Sequence, residues 1–149
     1  MPFVEFLAYG DRRVTALHPT TVEVTKEGIR SSAADCIVAT RSERGLSELP
    51  EDLKDAARDE GAEITITIEA GGFSERIVGR GHSQLGFESG ADMVTRKSRY
   101  VCGRTLMVAA DKASKDLDRR LIAELQKPET VIKIRIEATR REPVQADQT

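Results

Sequence analysis

Aromatic residues are scarce in this chain, and that shortage narrows the kinds of protein it can be. Phe, Tyr and Trp together make up 4% of the 149 residues, and Trp is absent. Surfaces that bind single-stranded nucleic acid without sequence preference are built from aromatic side chains, so the composition argues against such a surface. The chain also contains no Walker-type loop, dinucleotide-binding fingerprint or recognised DNA-reading helix.

Cysteines and long apolar runs are equally limited. Cys36 and Cys102 are the two cysteines, too few for a disulfide framework. No apolar run approaches the length of a membrane span, and the N-terminal segment lacks the basic and long apolar parts of a secretory signal. We therefore expect a cytoplasmic protein with reduced thiols and no membrane partner.

The residues that are present predict one compact domain. Hydrophobic residues make up 39% of the chain, enough for a core without covalent staples. We expect this domain to cover residues 1–139. Residues 140–149 show no apolar period and predict a flexible tail.

Two strands and two helices are predicted most clearly. Alternating isoleucines predict strands at residues 63–69 and 131–139. Helices are predicted from Ser47 or Pro50 to Gly61, and from Asp111 or Ser114 to Pro128. Residues 3–7 and 12–17 read as one hairpin and residues 63–69 and 73–80 as another, with shorter extended segments at residues 20–25, 36–39, 85–87, 93–94 and 100–109.

The chain is also similar to itself at a period of about 64 to 68 residues. This alignment places residues 10–18 opposite 74–82, so that His18 matches His82. The unit is hairpin, strand, strand, helix, with one copy at about residues 3–61, a second at about 62–127 and a closing strand at 130–139. Since neither unit buries its sheet alone, we predict an α+β fold: a closed or nearly closed β-rich barrel of two pseudo-symmetric repeats with two helices.

Positive charge is concentrated in residues 96–120. This stretch holds eight Lys or Arg and three Asp, a net charge of +5 in a chain whose formal charge is −2. Its cations fall at strand ends or near a helix start, where backbone N–H groups favour anions. The alternative is a solvated edge neutralised by Asp111, Asp116 and Asp118. The predicted ligand-binding set is Arg96, Lys97, Ser98, Arg104, Thr105 and Lys112.

The two histidines are candidates for acid–base chemistry. If the repeats bring His18 and His82 to one pocket, either could act as a general base, with Asp111 among the carboxylates that could orient the ring. These three residues form the predicted catalytic set, although each histidine could simply cap its own turn. His18, Cys36, His82 and Cys102 have side chains of the kinds that zinc binds, but their spacings match no compact zinc motif, so no metal ligands are predicted.

Several segments together carry a resemblance to a known family. They are His18 with residues 20–26, residues 35–37, Gly81-His82, and most specifically residues 96–98, 104–106, 110–113 and 116–119. In these segments the chain resembles an uncharacterised archaeal family, domain of unknown function 371, over about residues 9–138. The resemblance implies a cytoplasmic protein and brings no established activity, cofactor or substrate.

The sequence is compatible with three functions, and it does not decide whether the protein is an enzyme. The first is binding of, or catalysis on, a small phosphorylated anion at the basic strand–helix junction. The second is an RNA- or ribosome-contacting module, whose affinity would fall steeply with salt. The third is an assembly protein in which an exposed sheet edge pairs with another chain to form an oligomer. No cofactor follows from the residues.

Overall fold

The computed structural model describes residues 1–31 and 33–140, so most of the predicted tail, residues 141–149, lies outside the described residues. Eight strands form two four-stranded sheets, in the orders β1-β8-β4-β5 and β3-β2-β6-β7. The strands are β1 (Phe3–Tyr9), β2 (Thr21–Thr25), β3 (Ile37–Ala39), β4 (Glu63–Ala70), β5 (Phe73–Arg80), β6 (Asp92–Arg96), β7 (Thr105–Met107) and β8 (Val131–Thr139).

The first sheet is antiparallel and is organised around β4 and β8. Ile66 lies opposite Ile136 and Ile68 opposite Ile134, and each of these side chains is at most 1% exposed. Alternation places the isoleucines of both strands on one face, which turns them toward the core. The strands predicted from isoleucine spacing are therefore confirmed, as is the β4–β5 hairpin closed by Gly71 and Gly72.

The second sheet is mixed. Its central strands, β2 and β6, are antiparallel, and β3 and β7 flank them in parallel, each with a register shift. Val22, Val24 and Met93 face the core and are 1% exposed. The opposite face carries Glu23 and other polar side chains.

Each helix is short and follows a 3₁₀ turn. Helix α1 spans Glu51–Ala57 and helix α2 spans Arg119–Leu125. Pro50 precedes the first helix, as expected for a residue that lacks an N–H, and the Asp118 side chain accepts from Arg120 N to cap the second. In the described part of the chain no helix is long and apolar enough to cross a membrane.

The α+β class and the two helices agree with the sequence prediction, but the closed barrel does not. The sheets meet on each side through a single isolated bridge: Tyr9 at the end of β1 pairs with Thr40, and Arg80 at the end of β5 pairs with Val108. A closed barrel needs a continuous ladder around its circumference. One bridge on each side leaves two sheets enclosing a core.

Two predicted strands are also wrong, for a shared physical reason. Residues 12–17 do not pair with β1, whose partner is β8, and residues 85–87 form no strand. Ala16 and Phe87 have φ angles of 53° and 50°, in the left-handed region that interrupts an extended chain. Their apolar side chains are nevertheless buried. The spacing of apolar residues in these loops therefore resembles that of a strand.

The order of elements in the first half recurs in the second, but at a different spacing from the sequence alignment. The positive φ angle of Ala16 recurs 71 residues later at Phe87, and that of Arg41 recurs 68 residues later at Ala109. At these spacings His18 corresponds to Ser89, not to His82. The hydrogen bonds agree with this, because His18 Nδ1 accepts from the N–H groups of residues 20 and 21, and Ser89 Oγ accepts from those of residues 91 and 92.

Candidate functional site

Arg104, a cation of the predicted ligand-binding set, is held by two carboxylates. Its Nη2 donates to Glu23 Oε1 at 2.7 Å and its Nε donates to Asp92 Oδ2 at 3.0 Å. Asp92 also accepts from the Thr25 hydroxyl at 2.8 Å. These contacts pin Arg104 across the outer face of β2 and β6, so little of its charge remains for an external anion.

Glu23 is the most buried carboxylate of this group, at 7% exposure. Desolvation by burial raises its pKa above the usual value, and the neighbouring Arg104 charge offsets only part of that effect. The Cys36 thiol lies 3.7 Å from Glu23 Oε1. Burial, reinforced by the Glu23 charge, raises the pKa of that thiol to about 11.

Lys97 and Lys112 are also neutralised. Lys97 Nζ lies 2.8 Å from Asp116 Oδ2, and Lys112 Nζ donates to Glu75 Oε1 at 2.8 Å. The Lys97 pair has a counterpart in the first half, where Lys26 pairs with Glu48 at the same two structural positions. A contact that recurs in both halves is more economically explained as scaffold than as a ligand site.

The start of α2 is occupied as well. Asp118 caps the helix, and Glu75 Oε2 accepts from Asp118 N at 2.7 Å. The helix N-terminus on which the sequence prediction relied therefore already holds two carboxylates of the protein.

Arg96 and Thr105 lie together around Cys102. Arg96 Nε donates to Thr105 Oγ1 at 2.9 Å and its Nη2 lies 3.3 Å from Cys102 Sγ, while its guanidinium stacks 5.0 Å from the Tyr100 ring centre. Arg104 N donates to the same sulfur at 3.4 Å. Ser98 is exposed and its Oγ accepts from Tyr100 N, which shapes the loop between β6 and β7.

The two thiols consequently differ in acidity. Desolvation raises the pKa of Cys102, but the bonds from Arg104 N, the Thr105 hydroxyl and Arg96 together outweigh it, so the pKa lies below its usual value.

We predict that iodoacetamide alkylates Cys102 about tenfold faster than Cys36 at pH 7.5, because the thiolate is the nucleophile and Cys36 is held protonated. Time-resolved peptide mass spectrometry of the folded protein measures both rates. Arg96→Ala should slow Cys102 and leave Cys36 unchanged. Equal rates for the two thiols in the native protein would contradict this assignment.

The histidines of the predicted catalytic set lie in separate turns. His18 Nδ1 accepts from the N–H groups of Thr20 and Thr21 at 3.2 and 3.1 Å, and His82 Nδ1 accepts from Gln84 N at 3.1 Å. These bonds place the ring proton of each neutral histidine on Nε2. The His82 ring also lies 3.9 Å from Glu60 Oε1. Each side chain thus caps its own turn, the alternative raised from the sequence.

Asp111, the third predicted catalytic residue, binds the outer edge of β5. Its Oδ1 accepts from Val78 N at 3.0 Å and its N–H donates to Val78 O at 2.9 Å. Glu43 makes the same pair of bonds to Leu7 on the edge of β1, at 2.7 and 2.9 Å. Both edge strands of the first sheet, β1 and β5, are therefore clasped by a carboxylate residue, and the two residues occupy equivalent positions in the two halves.

No group of three His, Cys, Asp or Glu residues suited to a metal ion occurs in residues 1–31 and 33–140. His18 and His82 in particular have different neighbours. Asp35 O accepts from His18 N, whereas Ala57 O accepts from His82 N.

Sequence reasoning missed a cluster of arginines beside β1, which we call the arginine clefts. The first cleft, of about 290 Å³, is lined by Gly10, Asp11, Arg12, Arg13, Arg41 and Pro128. The second, of about 430 Å³, is lined by Arg12, Arg13, Val14, Thr15, Arg30, Ser31 and Gln126. Both open to solvent, and they share Arg12 and Arg13.

The four arginines of the clefts are exposed and differ from the predicted set in their partners. Within the described residues, none of their guanidinium nitrogens lies within 4.0 Å of a carboxylate oxygen. Arg41 Nη2 donates to the carbonyls of Gly10 and Pro128, both at 2.8 Å, and Arg13 Nη1 donates to Ile29 O at 2.6 Å. Backbone carbonyls orient these two guanidinium groups without cancelling their charge.

The clefts were missed because their residues are scattered. Arg12 and Arg13 were assigned to a strand, and Arg30 and Arg41 are separated from them by long stretches of chain. The one available signal was the adjacent Arg12-Arg13 pair directly after the Gly10-Asp11 turn.

The fold does not require arginine at these positions. By the spacing established above, Arg12, Arg13 and Arg41 correspond to Ser83, Gln84 and Ala109. That end of the molecule also carries Glu60, which accepts from the Ser83 hydroxyl at 3.1 Å. The basic clefts are thus a property of one end of the molecule and not of its scaffold.

The fold and site define a class: a two-sheet α+β protein with an arginine-lined surface at one end. The chain belongs to the family described as domain of unknown function DUF371, whose model matches residues 6–139. It is 35% identical over 131 residues to uncharacterized protein MJ0206 of Methanocaldococcus jannaschii, covering 87% of this chain and 96% of that protein. The resemblance drawn from the sequence motifs is confirmed.

Proposed function

We propose that the protein binds a small phosphorylated ligand, and that the arginine clefts hold the phosphate. The observation that carries this is the contrast in pairing: Lys97, Arg104 and Lys112 are held by carboxylates, whereas the cleft arginines are not. An unpaired guanidinium offers planar, bidentate donors that match phosphate oxygens. The proposal keeps the ligand class inferred from the sequence and moves its site to the other half of the chain.

We further infer that residues 3–70 and 73–139 are related by an approximate twofold axis between β4 and β8. The sheet orders support this, because β1 and β5 are the edges of one sheet and β3 and β7 the edges of the other. Recurring positive φ angles and edge clasps support it as well. Under this inference, features present in only one half, such as the clefts, are the better candidates for function.

An RNA-contacting module remains the second candidate, since open clefts between exposed arginines also suit a phosphate backbone. Salt separates the two cases. Affinity of an RNA falls steeply with salt because several counterions are released, whereas a single phosphate ester shows a shallow dependence.

Assembly through a sheet edge has less support. Tyr9 exchanges hydrogen bonds with Thr40, and Arg80 exchanges them with Val108. With the clasps at Leu7 and Val78, much of both edges is already bonded, which leaves a short stretch for a second chain.

The test is isothermal titration with phenyl phosphate at 50 and 300 mM NaCl. We expect Arg12→Ala to weaken binding about tenfold, the size of one charge-assisted hydrogen-bonded contact. Arg12 donates no side-chain hydrogen bond within the described residues, so its loss should leave the fold intact. Arg76→Ala, on the exposed side of β5, removes equal charge elsewhere and should leave affinity unchanged.

The outcomes separate the alternatives. If Arg104→Gln abolishes binding while Arg12→Ala does not, the basic strand–helix junction is the site and the clefts are not. Binding of a single-stranded RNA 12-mer without binding of phenyl phosphate would replace the small ligand by RNA. Absence of binding to every anion would overturn the proposal.

A further inference from the structure

The two arginine clefts adjoin, and their arrangement indicates the size of the ligand as well as the sign of its charge. Arg12 and Arg13 line both cavities, so the clefts are two parts of one continuous surface. Their combined size exceeds what a single phosphate group would fill. One ligand could therefore span both.

Each cleft has its own oriented guanidinium group. In the first cleft, Arg41 is tied to the chain by Gly10 O and Pro128 O and stacks 5.2 Å from the Tyr9 ring centre. In the second, Arg13 is tied to Ile29 O, one residue before Arg30. Neither side chain spends a donor on a carboxylate of the described chain, and such pre-orientation lowers the entropy lost when a ligand binds.

The surface beside these cations in the second cleft is uncharged. Val14 is 1% exposed, and Gln126 Nε2 donates to Val14 O at 2.9 Å. The Gln126 amide is therefore already bonded within the fold. Arg58 makes the corresponding contact in the other half, where its Nε donates to Leu85 O at 2.8 Å. Thr15 completes this uncharged strip.

A single acidic side chain, Asp11, lines the clefts among the described residues. Its Oδ1 accepts from Arg13 N at 2.8 Å and closes the turn after β1. Asp11 therefore helps to fix the position of Arg13. Four arginines against one aspartate leave a formal excess of three positive charges.

We propose that the clefts bind one small molecule with two anionic groups joined by an uncharged linker, such as a bisphosphate or a phosphate with a carboxylate. This deepens the phosphate-binding function proposed above and rests on it. Arg41 holds one anionic group and Arg13 with Arg30 holds the other, while Arg12 lies between them. The linker packs along the exposed Thr15 side chain.

The experiment compares butane-1,4-bisphosphonate with butylphosphonate by isothermal titration. The bisphosphonate should bind at least tenfold more tightly, because its second group binds with the first already anchored. Arg30→Ala should lower the bisphosphonate affinity about tenfold and the butylphosphonate affinity by a smaller factor, because a single phosphonate group can still bind at Arg41. Arg12→Ala should weaken both ligands, and Arg76→Ala neither.

A series of bisphosphonates with one to six methylene groups controls for charge. Affinity should pass through a maximum along the series, because only a matching linker lets both groups reach their arginines. Uniform affinity along the series, or equal weakening of both probes by Arg30→Ala, overturns the two-anion inference while leaving phosphate binding intact. Absence of binding by both butane probes overturns the proposed function itself.

Discussion

Arg104→Ala is expected to lower the free energy of unfolding by about 2 to 3 kcal/mol at pH 7, and by much less at pH 4. The reason lies in Glu23, which is 7% exposed and would lose its main cationic partner, so that no nearby opposite charge among the described residues offsets the burial of the carboxylate. Arg104 itself is half exposed, at 48%, so its own desolvation contributes little. The cost arises chiefly from the carboxylate left behind.

The sign of the pH dependence follows from the raised pKa of Glu23, which burial causes. At pH values between the unfolded pKa, about 4.5, and the folded pKa, the folded state binds more protons than the unfolded state. Stability therefore falls as pH rises through this window. Loss of Arg104 raises the pKa of Glu23 in the folded state further. The variant therefore loses stability over a wider range of pH, and its free energy of unfolding falls increasingly below that of the native protein as the pH rises. At pH 4, below the usual pKa of 4.5, Glu23 is mostly protonated in both proteins and the deficit shrinks.

Urea unfolding from pH 4 to 8 measures this effect. Adding Glu23→Gln to Arg104→Ala should recover at least half of the lost free energy of unfolding at pH 7 and flatten its pH dependence, because the glutamine amide carries no charge that needs a partner. A deficit that stays constant across this pH range would show that Arg104 stabilises the protein through packing, and not through Glu23.

The same pair shows why a count of charges along the sequence does not reveal which cations are left without a carboxylate partner. Residues 96–120 do hold a local excess of positive charge, but the acids that neutralise it include Glu23, Glu75 and Asp92, all outside that stretch. Sequence distance hides these partners, since Glu23 reaches Arg104 only through the pairing of β2 with β6 and of β6 with β7. The cleft arginines were overlooked for the converse reason: folding gathers them from three separate segments.

Local patterns predicted the fold well where one face of an element is buried. The isoleucines of β4 and β8 alternate because one face of that sheet forms the core. Both helices lie within the predicted ranges, but each is only 7 residues long and shorter than predicted. The strand predicted at residues 12–17 is absent. Val14 and Ala16 are buried although they lie in a loop in which Ala16 has a left-handed φ angle, and their spacing mimics the alternation of a strand. The pairing of β1 with β8, from opposite ends of the chain, has no local signal at all.

The comparison of the two halves also distinguishes scaffold from candidate function. His18, Lys97 and Asp111 each have a counterpart making the same kind of contact in the other half, at Ser89, Lys26 and Glu43. Arg12 and Arg41 have none. Sequence alone could not make this distinction, because an offset of a few residues in the alignment paired His18 with His82.

Gly10→Ala and Gly81→Ala are each expected to destabilise the protein by about 3 kcal/mol or more. A Cβ atom at Gly10 would lie 2.1 Å from Lys127 O, and one at Gly81 would lie 2.1 Å from Ala57 O. In each half the strand end passes directly against the end of a helix, and the next residue donates to a helix carbonyl, Asp11 N to Leu125 O and His82 N to Ala57 O. Backbone cannot give way there without breaking these bonds, so the two costs should be similar.

Chemical unfolding of both variants, with Gly72→Ala as the matched control, tests this expectation. Gly72 has a φ angle of 85° but no atom within 4 Å of an added Cβ, so its substitution should cost only the conformational strain, about 1 kcal/mol. Losses at Gly10 and Gly81 that are equal to each other and well above that of Gly72 would show that both helix ends are sealed by the same close approach. If Gly10→Ala were tolerated while Gly81→Ala were not, the end that carries the arginine clefts would be the more deformable one, and the equivalence of the two halves would not extend to their packing.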